Sequence, residues 1–255
     1  MSITLYQDDK HQCIKFADLV LNGEVQSNQF LIIHNHRGIL IDCGGYRVYQ
    51  NILGAMSRHL PAGSLDYIFL SHQDPDIGSG LNLWLPICKA QVMISSLWAR
   101  FIPAFCVRGL ADERVVQIPD RGLRFELAGS SLVAVPAHFL HSCGNFHLYD
   151  PVSKILFTSD LGASLEPHME NIATEEDFQK HIPAMAGFHN RYIPSGRACR
   201  AWAAMVRELD VEMIVPQHGA RISGKSLVEK FYQWVEQEKT AIDDFVDELF
   251  QLPLK

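Results

Sequence analysis

Three metal-binding side chains lie within one short segment, Ser71-His72-Gln73-Asp74-Pro75-Asp76-Ile77. The apolar run 66–70 (DYIFL) precedes it and predicts a β-strand. The histidine and the two aspartates occupy alternating positions, so they can point the same way only if the segment stays extended. Pro75 has no amide donor and biases Asp74 toward extended backbone. We therefore expect three ligands at the mouth of a strand.

Three more residues of ligand type lie near the ends of other predicted strands. They are His141 in 139–145 (FLHSCGN), Asp160 after the apolar run 155–158, and His218 after the run 213–216. Taken alone, Asp160 could cap a helix and His218 could be an ordinary turn residue. The four segments together predict a shared metal site more strongly than any of them does alone.

This order of segments, over roughly residues 28–219, resembles the metallo-β-lactamase fold superfamily. The usual motif there is His-x-His-x-Asp-His, followed by a later His, an Asp after a strand and a final His before Gly. Ile41-Asp42-Cys43-Gly44 also resembles the strand end Ile-Asp-x-Gly of that family. The resemblance implies an α/β fold, a four-layer αβ/βα sandwich, as a single domain over residues 1–255.

Two departures from the motif indicate a particular branch of the superfamily. Asp74 replaces the second His and Ile77 replaces the last one. A carboxylate at the second position resembles the flavodiiron branch, which uses Glu there and binds two non-haem irons. Because Asp is one methylene shorter than Glu, the coordination mode of Asp74 stays open. With Ile77 in place of a histidine, we expect an open or water-filled position on one metal ion.

The resemblance also implies which residues hold which ion. One iron would take His72, Asp74 and His141. The other would take Asp76 and His218, with Asp160 bridging the two ions.

The ligand chemistry favours iron independently of the resemblance. Three carboxylates and three imidazoles form an oxygen-rich set that suits iron or manganese better than zinc. Two ions that share a carboxylate lie roughly 3.5–4 Å apart, which suits a bridging oxo or hydroxo group or dioxygen. We therefore expect two iron ions, with zinc or manganese as the alternatives.

A second segment, 188–195 (FHNRYIPS), together with 139–145, resembles the stand-alone oxygen-binding diiron proteins of the same branch. It makes His189 and Tyr192 candidates for the pocket beside the metals, where a Tyr hydroxyl could donate a hydrogen bond to dioxygen. The alternative for Tyr192 is a loop side chain packed on the surface. His138 is either a neighbour of the ligands or a structural residue.

The remaining histidines have no ligand context in the sequence. We expect ordinary structural roles for them and place the first of them near a mobile terminus. They are His11, His34, His36, His59, His147, His168 and His181.

Three functions remain open at this point. The chain after His218 has no Gly/Ser/Thr-rich phosphate loop and no rubredoxin CxxC pair, so we expect no built-in electron relay. The favoured function is that of a diiron protein that binds dioxygen, or another small gaseous ligand, as a sensor or carrier. The alternatives are an oxygen or nitric-oxide reductase with external donors and a metal-dependent hydrolase. An external redox or signalling protein is the expected partner.

Composition restricts the remaining possibilities. The chain has 255 residues, a formal net charge of −7 and 47% hydrophobic residues. The acidic balance argues against nucleic-acid binding, and no apolar stretch approaches the ~18 residues that a membrane span needs. Six scattered cysteines and an N-terminus without a signal-peptide pattern indicate reduced thiols and a cytoplasmic location.

Further elements can be predicted from local pattern. The apolar runs 29–34 and 38–42 predict a hairpin, and 195–209 predicts an amphipathic helix with Ser195 as its N-cap. A long C-terminal helix is expected over 226–252. Its seven-residue stripe fits packing on its own core, or a homodimer or partner surface. The stripe consists of Val228, Val235, Ile242 and Leu249.

Overall fold

The computed structural model describes residues 2–20, 25–104, 106–107, 109–111, 113–165 and 169–252. Within these residues the strands form two seven-stranded mixed sheets, ordered β1-β2-β3-β4-β5-β6-β7 and β12-β14-β13-β11-β10-β9-β8. The strands of the first sheet are β1 Ser2–Gln7, β2 His11–Phe16, β3 Gln29–His34, β4 Arg37–Ile41, β5 Leu65–Phe69, β6 Gln91–Ser95 and β7 Val115–Ile118. Those of the second are β8 Leu123–Leu127, β9 Ser130–Pro136, β10 Phe146–Asp150, β11 Ile155–Phe157, β12 Asn171–Ile172, β13 Met213–Val215 and β14 Arg221–Ser223.

Helices cover the outer faces of both sheets. The first sheet carries α1 Tyr49–Met56, α2 Pro75–Gly78, α3 Leu81–Trp84 and α4 Ser96–Ala99. The second carries α5 Glu175–Tyr192, α6 Gly196–Val206, α7 Lys225–Gln237 and α8 Ala241–Leu249. The expected four-layer αβ/βα sandwich is confirmed.

The apolar runs of the strands divide between two cores. In β3, Phe30 and Ile32 face the second sheet, whereas Leu31 and Ile33 face the helices of the first. Because both faces of the sheet are covered, β3 is apolar at four consecutive positions, 30–33, instead of alternating with polar residues. The predicted hairpin is confirmed, since β3 and β4 pair antiparallel with His34 opposite Arg37.

The sandwich brings together, at one edge, the strand ends that carry the candidate ligands. Strand β5 is parallel to β4 in one sheet and β11 is parallel to β13 in the other. A hydrogen bond of 2.9 Å from the Phe146 amide to the Ser71 carbonyl joins the two sheets at this edge. The loops after β5, β11 and β13 therefore face one another.

The loop after β5 differs from the expectation of an extended segment. It is extended through Asp74 (φ −67°, ψ 153°), but α2 begins at Pro75. Proline is well suited to the first helical position because its missing amide has no partner there in any case. Asp76 consequently lies in a helical turn and points away from the direction shared by His72 and Asp74.

Helix α5 was not predicted from the sequence. Its start has strong signals, because the Thr174 hydroxyl accepts a hydrogen bond from the Asp177 amide and the first turn is acidic. Pro183 inside the helix breaks the local pattern by which a helix would be recognised. The segment 188–195 is therefore the end of a helix and its following turn.

The long C-terminal helix was predicted wrongly as one element. Glu238 is extended, and Thr240 precedes α8, so 226–252 forms two helices instead. Val228 and Val235 pack in the core beside the second sheet, while Ile242 is half exposed. The side chain of Leu249 lies outside the described part. The helix α6 was predicted correctly, with the Ser195 hydroxyl accepting from the Arg197 amide at its N-cap.

None of the helices in the described ranges combines the length and the hydrophobicity needed to cross a lipid bilayer.

Candidate metal centre

The six predicted ligands converge in two groups around Asp160. The Nε2 atoms of His141 and His72 lie 3.0 and 3.6 Å from its Oδ2 atom. Asp74 joins this group, with its Oδ2 atom 3.6 Å from His141 Nε2 and 3.7 Å from His72 Nε2. His72, Asp74, His141 and Asp160 can thus offer four donor atoms to a single ion.

The second group uses the other oxygen of the same carboxylate. His218 Nε2 lies 3.5 Å from Asp160 Oδ1 and 3.5 Å from Asp76 Oδ2. Asp160 therefore presents one oxygen to each group, which is the geometry of a carboxylate that bridges two ions. The helical turn at Pro75 explains why Asp76 reaches this group while Asp74 reaches the first.

Hydrogen bonds on the far side of His72 fix its orientation. The Ser71 hydroxyl donates to buried Asp42 at 3.0 Å, and the Ser159 hydroxyl donates to Ser71 at 3.1 Å. The Nδ1 atom of His72 lies 2.9 Å from the Ser159 oxygen and 3.0 Å from the Ser71 oxygen. With both hydroxyl protons committed, Nδ1–H donates to a serine and the Nε2 lone pair is left for a metal.

The other two histidine loops are also held in place. His218 Nδ1 lies 2.8 Å from the Gln26 carbonyl, so it donates there and Nε2 faces Asp76 and Asp160. The loop of His141 is tied to the loop of His72, because the Ser142 hydroxyl donates to the Gln73 side chain at 2.6 Å.

The electrostatics of the centre favour positive charge. Burial alone would raise the pKa of Asp160, but the imidazoles of His72, His141 and His218 hold it well below its usual range. Burial would lower the pKa of His72, yet Asp160 and Asp74 raise it to about 9. Carboxylates thus hold protons on imidazoles in the metal-free protein, and a cation would take the place of those protons.

Unpartnered atoms support the same conclusion. His72 Nε2, His141 Nε2 and Asp160 Oδ1 are buried without a hydrogen-bond partner. Buried polar atoms are nearly always paired, because an unpaired one costs roughly 1–3 kcal/mol. The two imidazole nitrogens belong to the first group, and Asp160 Oδ1 belongs to the second. The residues present therefore fit a bound metal.

A family model described as ODP family beta lactamase matches residues 25–219. The chain belongs to this ODP family. The match begins just before β3 and ends one residue after His218, so it spans all four ligand segments. The resemblance to the metallo-β-lactamase fold is thereby confirmed.

Solved structures of ODP relatives agree in fold over nearly the whole chain. A structure described as a peroxy diiron species of the chemotaxis sensor ODP is 41% identical, with a TM-score of 0.86 over 98% of this chain and 99% of that one. The apo state of the chemotaxis sensor ODP from T. denticola is 39% identical, with a TM-score of 0.85 over the same shares.

More distant relatives share the fold alone. A flavo di-iron protein variant from Thermotoga maritima is 18% identical, with a TM-score of 0.77, and the match covers 92% of this chain and 60% of that one. An uncharacterized protein of Methanocaldococcus jannaschii is 22% identical over 211 residues, which are 80% of this chain. The chain described here spans about half the length of this relative and of a second one from the same organism.

The three pocket candidates take different positions in the structure. The Tyr192 ring lies 6.3 Å from that of His141 and stacks on Phe188 at 4.5 Å, and the side chain is half exposed. His189 is buried and packs against Trp234 at 4.9 Å between ring centroids. Both ring nitrogens of His138 have backbone partners, because Nε2 lies 2.7 Å from the Asp120 carbonyl and Nδ1 accepts from the Gly144 amide.

The residues that orient the candidate ligands have weak signals in the sequence. Ser71, Ser159 and Phe188 belong to no motif position of their own, and Asp42 is marked only by the strand-end pattern Ile-Asp-x-Gly. Small polar residues that directly precede or follow a strand-end ligand were the available signal. His168, assigned an ordinary role, lies outside the described residues.

Proposed function

We propose that the chain is an oxygen sensor that holds two iron ions and binds dioxygen between them. In this proposal His72, Asp74 and His141 hold one ion, Asp76 and His218 hold the other, and Asp160 bridges them. The observation that carries the proposal is the placement of the two Asp160 oxygens against two separate histidine groups. A carboxylate used in this way is the means by which paired metal ions are kept within reach of one small ligand.

The donor set supports iron. Three carboxylates and three neutral imidazoles form a hard set that suits iron and manganese better than zinc. Together the carboxylates supply three negative charges, which offset much of the charge of two ions in a buried space. When bound, iron would supply the electrons with which dioxygen is held.

The surroundings of the second ion support an open coordination position. Ile77 stands where the motif has a histidine, and its side chain is wholly buried in the core beneath the first sheet. The second group therefore has three donors where the first has four. A small ligand is expected to take this open position and to lie between the two ions.

The aromatic residues at the mouth support a small, uncharged ligand. The Phe188 and Tyr192 rings stand edge-on to His141, with centroids at 6.0 and 6.3 Å. Their apolar rings border the first group of donors at His141. Tyr192 also carries a hydroxyl, and we propose that it donates a hydrogen bond to the bound ligand.

The ODP relatives support a sensing role. The two ODP structures are described as a chemotaxis sensor, and both match this chain along almost its full length. We propose the same role here, with a chemotaxis signalling protein as the partner and the cytoplasm as the location. Homodimerisation stays a prediction.

Metal content and spectroscopy test the proposal. We expect close to two irons per chain in the isolated protein. We also expect a near-ultraviolet absorption band when the reduced protein is exposed to air. His141→Ala should lose iron, whereas exposed His36→Ala should keep it. Full occupancy by zinc together with hydrolytic turnover would contradict the proposal and favour the hydrolase.

Oxygen consumption separates a sensor from a reductase. The reduced protein is mixed with oxygen, first alone and then with an external flavin donor. One oxygen taken up per pair of irons, with no further consumption, is the result expected of a sensor. Sustained consumption with the donor would establish the reductase alternative.

The role of Tyr192 has its own test. Tyr192→Phe removes the hydroxyl and keeps the ring on Phe188. We expect the oxygen-bound form to decay faster while iron content stays unchanged. An unchanged lifetime would leave Tyr192 as a packing residue.

A further inference from the structure

A second group of metal-type donors lies at the opposite end of the sandwich. Strand β10 begins at Phe146, beside Ser71 of the iron centre, and ends at Asp150. There Asp150 meets His11 and Cys13 of β2, from the other sheet. All three residues are buried, and His11 is an ordered part of a strand, contrary to the expectation of a mobile terminus.

We propose that His11, Cys13 and Asp150 form a separate site for one zinc-class divalent ion, which ties the two sheets together. The donors would be His11 Nε2, Cys13 Sγ and Asp150 Oδ2. The proposal is independent of the iron centre and of its function.

The distances between the donor atoms fit a tetrahedral ion. Zinc bonds of about 2.0–2.3 Å hold nitrogen, oxygen and sulfur donors about 3.3–3.6 Å apart. Here Cys13 Sγ lies 3.3 Å from Asp150 Oδ2 and 3.5 Å from His11 Nε2. The third pair, His11 Nε2 and Asp150 Oδ2, is 2.8 Å apart and would open by roughly 0.5 Å.

The charges of the three side chains also fit a divalent ion. One thiolate, one carboxylate and one neutral imidazole carry two negative charges, which a divalent ion neutralises in a buried site. Without an ion, the Cys13 thiol and the His11 ring both direct a proton at the same Asp150 oxygen. That oxygen also accepts from the Ser153 amide at 3.3 Å and from the Ser153 hydroxyl. One cation in place of the two protons relieves this crowding of donors.

Outer contacts can orient the ligands toward an ion. His11 Nδ1 lies 3.1 Å from His34 Nδ1, its neighbour on β3, so it can donate there and keep Nε2 free. Asp150 Oδ1 accepts from the Val152 amide at 3.2 Å, which turns Oδ2 toward His11 and Cys13. Ser153, whose hydroxyl donates to Asp150, also lines a surface cavity with Tyr6 and Lys154, so this cavity lies one residue away from the proposed site.

The sulfur of Cys13 favours zinc over iron at this second site. Nitrogen, sulfur and a single oxygen make a softer donor set than that of the iron centre, and zinc prefers such sets. Among the described residues, the donor cluster of the iron centre contains no cysteine. A metal–sulfur bond would therefore report on the new site alone.

The test adds zinc to the iron-loaded protein, removes the excess and records X-ray absorption at the zinc edge. We expect one zinc per chain beside an unchanged iron content, with one sulfur neighbour at about 2.3 Å. Zinc with only nitrogen and oxygen neighbours, or no retained zinc, would overturn the proposal. Because the measurement uses the unaltered chain, its result does not depend on whether a variant folds.

Variants then assign the sulfur. Cys13→Ser should lose the sulfur neighbour and weaken zinc binding at least tenfold, while iron content remains the same. Cys199→Ser, which changes a buried cysteine in α6, should keep both the sulfur signal and the affinity. A sulfur signal that survives in Cys13→Ser, or disappears in Cys199→Ser, would contradict the assignment.

Discussion

Replacing Asp160 with Asn is the most informative change at the iron centre. The two side chains have nearly the same shape, so packing is preserved, but the negative charge is lost and the side chain no longer has two equivalent oxygens. If Asp160 bridges, both ions are affected, and they are affected unequally. The first group keeps His72, Asp74 and His141, whereas the second keeps only Asp76 and His218.

The expected loss of metal affinity follows from the distances between Asp160 and the three histidines. The Asp160 oxygens lie 3.0 to 3.6 Å from the Nε2 atoms of the three histidines, so an ion between them is at least as close. At an effective dielectric constant of about 20, a unit charge at ~4 Å contributes about 4 kcal/mol per charge of the ion. Since about 1.4 kcal/mol is a tenfold change, the affinity should fall by roughly a thousandfold or more. With only two donors left, the ion beside His218 should be lost first.

Iron content and iron affinity, measured by competition with a chelator, test this expectation. We expect about one iron per chain in Asp160→Asn, with His72 and His141 as its ligands. Asp9→Asn makes the same chemical change at an exposed position and should retain two. Two tightly held irons in Asp160→Asn would refute the bridging role and with it the division of ligands into two groups.

Three further predictions address the residues around the ligands. Ser159→Ala removes a hydrogen-bond partner of His72 Nδ1, so iron affinity should fall roughly 10- to 100-fold in the same competition assay. In the metal-free protein, the pKa of His72 is raised to about 9, so the protonated form of this side chain stabilises the fold. This contribution is complete below the unfolded value of about 6.5 and disappears as pH rises through 9, so the thermal midpoint should decline across that window. Gly144→Ala should lower the free energy of unfolding by about 1–3 kcal/mol in urea titrations, because φ is +75° and a Cβ atom would lie 2.6 Å from Ser95 Oγ and 2.9 Å from Trp98 Nε1.

Much of the iron centre could be predicted because its ligands are marked locally. His72, Asp160 and His218 each follow a short apolar strand, and a strand end presents side chains at the edge of a sheet. The donor types, taken together, favour iron or manganese over zinc without any knowledge of distances. The order of the segments was enough to indicate the superfamily.

The family resemblance implied the division of these candidate ligands into two groups, and spacing alone did not. Alternation from His72 to Asp76 suggested one direction for all three side chains, but the chain turns into a helix at Pro75. The same residues can form an extended loop or a helical start, and packing of α2 beneath the first sheet selects the second. Likewise, α5 was concealed by Pro183, which the folded protein accommodates inside the helix.

The class of fold and the chemical character of the iron centre could be inferred from the amino-acid sequence, since strand patterns and donor types are local properties. Which atoms meet depends on how the chain packs. The two Asp160 oxygens face different histidines, and Ser159 reaches His72, because the two sheets pack face to face and bring these strand ends together. Cys13 and Asp150 are 137 positions apart, and no local pattern connects them. Their contact exists because pairing and packing of the sheets bring β2 and β10 together.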